Sequence, residues 1–162
     1  MERDEILRRI RAFLDRVGIP HHERTLEGAC FLPGLRIEGG AILVDLERLS
    51  YPGDLLHEAG HIALERPSAR AHLSQEVLGH RPPAQSEEIG VLLWTFLAAR
   101  EIGLPSEVVF HAGGYRGESS WLMSQFEAGT WIGLPLLVWM GVVEPDGAGT
   151  GRVRSWLRVN EP

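Results

Sequence analysis

His57, Glu58 and His61 stand in the stretch DLLHEAGHIALERP, which runs from Asp54 to Pro67. Residues four apart on an α-helix lie one turn apart on the same face. Two imidazoles placed this way can reach one metal ion at about 2.0–2.1 Å, the usual zinc–nitrogen distance. Glu58 follows His57 directly and is turned about 100° from it on a helix of 3.6 residues per turn. From there its carboxylate reaches a water on the metal without being a tight ligand, and it can serve as general base. The spacing therefore supplies two ligands and a base. The competing reading is a structural helix that carries the three residues by coincidence. Context favours the metal. Leu55, Leu56, Ile62, Ala63 and Leu64 give the helix apolar flanks, and Ala59 and Gly60 let another element approach between the histidines.

A catalytic zinc takes three protein ligands and keeps one position open. A third histidine six residues beyond the second is absent, because Pro67 stands there. The remaining candidates are His72, Glu76, His80, Glu87 and Glu88. Glu87 and Glu88 open a strongly apolar helix. On it Glu88 shares a face with Leu92 and Phe96, and Glu87 with Val91, so helical phase favours Glu88, with Glu87 second. Whichever is not the ligand still favours the positive end of a helix electrostatically. A fourth protein ligand such as His72 or His80 would close the shell and make the zinc structural.

His57-Glu58-x-x-His61, followed some 25 residues later by a glutamate that opens an apolar helix, resembles the glutamate-ligand zincins, or gluzincins. The short chain resembles the minigluzincins, and the pattern is similar to the ImmA/IrrE-type metallopeptidases. In those, a second helix carries E-A-N-x-F-A and ends at L-x-P. Here Glu88-Ile89-Gly90 stands in that place, with Leu104-Pro105 beyond. The match covers roughly residues 40 to 105. Gly90 departs from the asparagine, and Leu92 stands where larger gluzincins place an acidic residue. The resemblance implies a sheet edge strand above the active-site helix, along which an extended peptide lies by strand addition. Ala41 to Asp45 is the candidate strand. Peptide hydrolysis also builds charge on the carbonyl oxygen, so a donor besides the metal is expected. His111 and Tyr115, in FHAGGYRG, are the candidates, a role that resembles the tyrosine or histidine of many gluzincins. Glu65, one turn past His61, is a weaker candidate for orienting that histidine from behind. A solvated helix face is the simpler reading.

These residues need elements to hold them. Asp4 to Val17 carries apolar residues at helical spacing and stops at Gly18 and Pro20. Arg24 to Leu46 has short apolar runs divided by Pro33-Gly34 and Gly39-Gly40, which predicts a small antiparallel sheet. Asp54 is expected to cap the histidine helix, and Ser86 the next one, which ends before Gly103 and Pro105. Ser68 to Gln85 reads as a loop with a short helical piece. Two or three helical pieces are expected in Pro105 to Met140, and RVRSWLRV as a last strand. Trp121, Trp131 and Trp139 are expected in the core, and His21-His22 in solvent.

With 162 residues, 44% hydrophobic and 23% charged, the chain suits one domain with one core. Its net charge of -6 argues against a nucleic-acid binder. Cys30 is the only cysteine, which excludes an internal disulfide or a multi-cysteine zinc site and fits a reducing cytoplasm. MERDEILRRI is too charged for a signal peptide, and the apolar run Ile132 to Val143 is too short to span a bilayer. The expectation is one α+β, zincin-like domain over residues 1–162, with a small antiparallel or mixed sheet and a metal-site core at about 40–115. It would be a cytoplasmic zinc metallopeptidase acting on a peptide or protein substrate, with no nucleic acid or membrane partner. Zn2+ would be held by His57, His61 and Glu88, with Glu58 as base and His111 and Tyr115 assisting. The alternative is a zinc-binding scaffold with a regulatory or interaction role and little or no peptidase activity.

Overall fold

The computed structural model describes residues 1–82, 85–111 and 119–162. It is a mixed α+β fold. In chain order the elements are α1 (Arg3–Val17), β1 (His21–Glu23), β2 (Leu35–Glu38), β3 (Ala41–Val44), α2 (Asp54–Ala63), α3 (Pro67–Arg70) and α4 (Gln75–His80). Then come α5 (Gln85–Glu101), a 3₁₀ turn (Ser106–Val108), α6 (Ser119–Glu127), α7 (Leu134–Trp139), β4 (Val143–Pro145) and β5 (Gly151–Val153). No helix is long and apolar enough to cross a membrane among the described residues.

Helix α1 forms where its apolar spacing predicts, and buries Ile6, Leu7, Ile10, Phe13 and Leu14. Gly18 ends it in the left-handed conformation, where glycine carries no Cβ penalty. Helix α5 is apolar on nearly every side: Val91, Leu92, Leu93, Trp94, Phe96, Leu97, Ala98 and Ala99 are all buried. A helix of that kind belongs at the centre of a core. Phe13 and Trp156 close an aromatic cluster around Trp94, with ring centroids 6.1 and 5.8 Å away. The Trp94 indole N–H donates to the Trp156 carbonyl at 3.0 Å. Of the other tryptophans expected inside, Trp131 is buried, whereas Trp121 and Trp139 are 56% and 53% exposed. Trp139 instead packs its ring against the Arg158 guanidinium at 5.0 Å.

The sheet is mixed and has the order β1-β3-β2. β2 and β3 form an antiparallel hairpin that turns at Gly39 and Gly40, both with positive φ, as the sequence predicts. β1 runs parallel to β3. Ala41–Val44 is therefore the central strand, and the expected peptide-binding edge is already paired on both sides. The outer edge of β2 is partly occupied too, because the Ile37 amide donates to the Gln75 side chain at 3.2 Å. The last strand is shorter than expected. Gly151–Val153 pairs with β4, and the chain beyond it runs as an irregular strap.

That strap finishes α2. Helix ends leave backbone carbonyls without partners. The Arg158 amide donates to the Ala63 carbonyl at 2.8 Å, and its guanidinium to the Leu64 carbonyl at 3.3 Å. Arg70 bridges the same corner, donating to the carbonyls of Ile62 and Arg158. Glu161 accepts from both the amide and the hydroxyl of Ser68. The other end of α2 is fixed by a backbone contact. Gly53, in the cap position, has no room for a side chain, because a Cβ there would collide with the Val108 carbonyl. Gly53→Ala is thus expected to destabilise the protein by about 1–3 kcal/mol, the usual cost of forcing atoms into packed space. Gly79→Ala, where a Cβ meets open space, is the control. Urea unfolding of both variants measures the difference.

Candidate metal centre

Helix α2 presents His57 and His61 from one face, as their spacing requires. Their rings meet edge to face, with centroids 5.0 Å apart. Helix α5 crosses this face closely because Gly60 lies between the histidines. A Cβ on Gly60 would sit 3.0 Å from a Val91 methyl, 3.2 Å from the Trp94 ring and 3.4 Å from the Thr95 hydroxyl. Glu88 lies one turn before Val91 on α5 and so enters the same space. Its carboxylate oxygens stand 3.4 Å from His57 Nε2 and 3.7 Å from His61 Nε2.

One donor atom from each of these three side chains lies within 4.8 Å of the other two, a group that could hold a metal ion. Ligand atoms about 2.0–2.1 Å from one tetrahedral ion lie about 3.3–3.4 Å from each other, close to the two glutamate–histidine separations here. Burial, above all, pushes the His57 imidazole well below its ordinary pKa, with the neighbouring His61 adding to the effect. Burial likewise lowers His61 to about 4, helped by the charge of Arg81. Both rings are therefore neutral at pH 7, the form that ligates a metal.

Glu58 occupies a different environment. It is 1% exposed, and its Oε2 accepts no hydrogen bond among the described residues. Burial, then the negative charges of Asp54 and Glu88, raise its pKa to about 8. An orphaned buried carboxylate is costly, and such groups concentrate where a proton, a water or a cation is to be handled. Glu88 is raised by burial as well.

Asp54 does not cap α2, as the sequence had implied. It is the first helical residue, and its carboxylate lies 2.7 Å from His111 Nε2. Burial raises the pKa of Asp54, which the contact with His111 partly offsets. Tyr51 stacks on the His111 ring, 3.8 Å between centroids and 9° from parallel. His111 is thus brought to the end of α2 that bears the histidines, one turn before Glu58. Neither Asp54 nor Tyr51 had been singled out as a partner of His111. The visible signal was Asp54 four residues before Glu58, on the same helical face. Tyr115 lies outside the described residues.

The other candidates fall elsewhere. Glu87 is exposed, and its charge acts on Arg158. His72 and Glu76 are exposed, and His80 lies 4.0 Å from Glu76. None of them joins the group, so no fourth ligand is present among the described residues. Glu65 is neither solvated nor directed at His61. It is buried and pairs with Arg81 at 2.5 Å. His21 is largely covered and meets Asp15 at 2.8 Å, whereas His22 is exposed.

These environments give the metal-free protein a defined pH dependence. Glu58 titrates at about 8 in the fold and near 4.5 when unfolded. The stability that its protonated form contributes is full below pH 4.5 and lost as pH rises through 8. His61 works in the opposite sense: its contribution is present above 6.5 and lost as pH falls towards 4. Only the carboxylate trend remains above pH 6.5. Metal-free protein is expected to lose stability between pH 6.5 and 8, by up to about 1.4 kcal/mol per pH unit for one proton. Glu58→Gln should flatten that slope. Urea denaturation at pH 6.5, 7.5 and 8.5 with a chelator present tests this.

Compared with family models, curated proteins and solved structures, the chain finds no match.

Proposed function

We propose that this chain is a zincin-like, zinc-dependent metallopeptidase in which His57, His61 and Glu88 hold the ion and Glu58 is the general base. The observation that carries the reading is a two-histidine, one-glutamate donor group beside a buried carboxylate that accepts no bond at one oxygen. Two neutral imidazoles and a carboxylate suit zinc better than the harder divalent cations. A zinc held by three protein ligands keeps one position open for substrate chemistry.

Zinc held there would supply Lewis acidity and make a water acidic enough to attack at neutral pH. The rest of the work falls to the chain's own groups. Glu58 takes the proton from the attacking water at its unpartnered oxygen as the new C–O bond forms, then gives it to the amine nitrogen, which leaves as the peptide C–N bond breaks. A carboxyl poised near the working pH suits this exchange, since it must accept and return the proton in one cycle. Helix α5 excludes solvent from the rear of the group through Val91 and Trp94. His111, whose Nε2 lies against Asp54 at the start of α2, is one candidate donor to the developing oxyanion. Tyr115 is the other candidate donor.

Elemental analysis of the purified protein tests the reading. About one zinc per chain is expected, lost in His61→Ala and retained in Glu58→Gln. Against a peptide library, Glu58→Gln should lower hydrolysis by about 10²–10⁴-fold, the range for removing a general base. Stoichiometric zinc without hydrolysis would point to the scaffold alternative. Absence of zinc from protein offered the metal would sink both.

A further inference from the structure

The last turn of α5 carries Arg100, with Glu101 after it. At 1.5 Å per residue, this end of the helix lies about 18 Å from Glu88. The Arg100 guanidinium sits over two rings, 5.7 Å from the Phe96 centroid and 5.1 Å from that of Trp131. A cation also suits the carboxyl end of a helix. These contacts hold the head group through its charge and give its five N–H donors no oxygen to bond. Among the described residues, the Arg100 side chain makes no ion pair and no hydrogen bond.

Arg100 lines a groove of about 390 Å³ between α5 and the chain that runs from β5 into the strap. Leu97, Val153 and the Trp156 ring give it apolar walls, and Arg152 brings a second guanidinium. Arg152 donates through Nε and Nη2 to one Glu144 oxygen, at 3.0 and 2.7 Å. Its side chain is otherwise in solvent, so further donors stay open. Glu101 lines the groove as well, but its charge is answered from outside by Arg16, 3.5 Å away. The acidic residue and one of the two cations thus have partners, and Arg100 has none. The aromatic wall is fixed in advance. The Trp156 ring meets those of Phe13 and Trp94 edge to face at 5.0 and 5.8 Å, and its carbonyl accepts from the Trp94 N–H. Apolar walls with a few placed polar groups are the usual form of a small-molecule site, and a wall already ordered loses little freedom on binding.

We infer that this groove binds a small organic oxyanion with a flat apolar body, its carboxylate or phosphate taken by Arg100 with Arg152 and its body laid against Trp156. The site is separate from the candidate metal centre and does not depend on it.

Titration of the whole chain, followed by the NMR signal of the Trp156 indole N–H, tests this. Trp156→Phe assigns the signal. Four probes are used: benzoate, phenyl phosphate, the neutral benzamide and inorganic phosphate. Benzoate or phenyl phosphate is expected to shift the Trp156 signal saturably and to bind about fivefold or more tightly than benzamide, as a charge-assisted hydrogen bond allows. Whichever does so identifies the head group. Inorganic phosphate should bind more weakly than phenyl phosphate, since it has no body to lay on the ring. Arg100→Met keeps an apolar stem against Phe96 and Trp131 and should remove the preference for the anion. Arg152→Gln breaks only an exposed ion pair, whose loss costs little, and should weaken anion binding about twofold or more. Unfolding midpoints check both variants, and Arg152→Gln decides the matter if Arg100→Met does not fold. Four results would each overturn the inference: no shift at Trp156 with either organic anion, neither anion preferred over benzamide, inorganic phosphate bound as tightly as phenyl phosphate, or anion affinity unchanged in the folded variants. The last would place the anion elsewhere, for instance on a metal at the histidines.

Discussion

The close approach of α2 and α5 at Gly60 is the constraint on which the site depends. Without a side chain there, Val91, Trp94 and Thr95 reach the backbone between the two histidines. That contact fixes the distance from which Glu88 reaches both imidazoles. It also seals the rear of the group against water, so that His57 and Glu58 are buried although both are ionisable. A larger residue at 60 would separate the helices, and the separation would act on the core and on the donor geometry together. Packing and chemistry share one contact here, so one cannot be relaxed while the other is kept.

Burial then sets the electrostatics. Two imidazoles lose their affinity for protons, and two carboxyls, Glu58 and Glu88, gain affinity. The shifts are opposite in sign for the two residue types but share a cause, the cost of placing charge where water is scarce. The result is a pair of neutral imidazoles beside two carboxyls whose charged forms burial disfavours. A divalent cation is the simplest species to complete it, which is the physical basis of the proposed centre. Asp54 and His111 extend the polar group along α2, one turn further on.

How much of this was legible beforehand varied with the range of the interaction. The histidines and Glu58 were readable because helical spacing alone places them. Glu88 was chosen over Glu87 on a stripe through Leu92 and Phe96. Helix α5 has no such stripe, being buried nearly all round, and the face that meets α2 runs through Val91, Trp94 and Thr95. Glu88 does stand beside both histidines, but through packing that the stripe argument did not describe. The hairpin turn was legible, since two adjacent glycines specify it. The place of β3 in the sheet was not, because a three-residue parallel partner at His21–Glu23 leaves almost no trace in local sequence. Asp54 looked like a cap because acidic residues at helix starts commonly are. Its actual partner lies 57 residues away, a separation that no local pattern encodes.

The strap formed by residues 156–161 has a consequence for how the protein comes into being during synthesis. The carbonyls that end α2, at Ala63 and Leu64, receive hydrogen bonds from Arg158, more than ninety residues later in the chain. A nascent chain emerges from its N-terminal side, so the two histidines leave the ribosome long before the segment that completes their helix. Until then α2 is a ten-residue helix with a frayed end, too short to be stable by itself. A segment made much later thus helps set the moment at which the two imidazoles acquire fixed positions. Order in an earlier-made stretch of the chain waits on a later-made one.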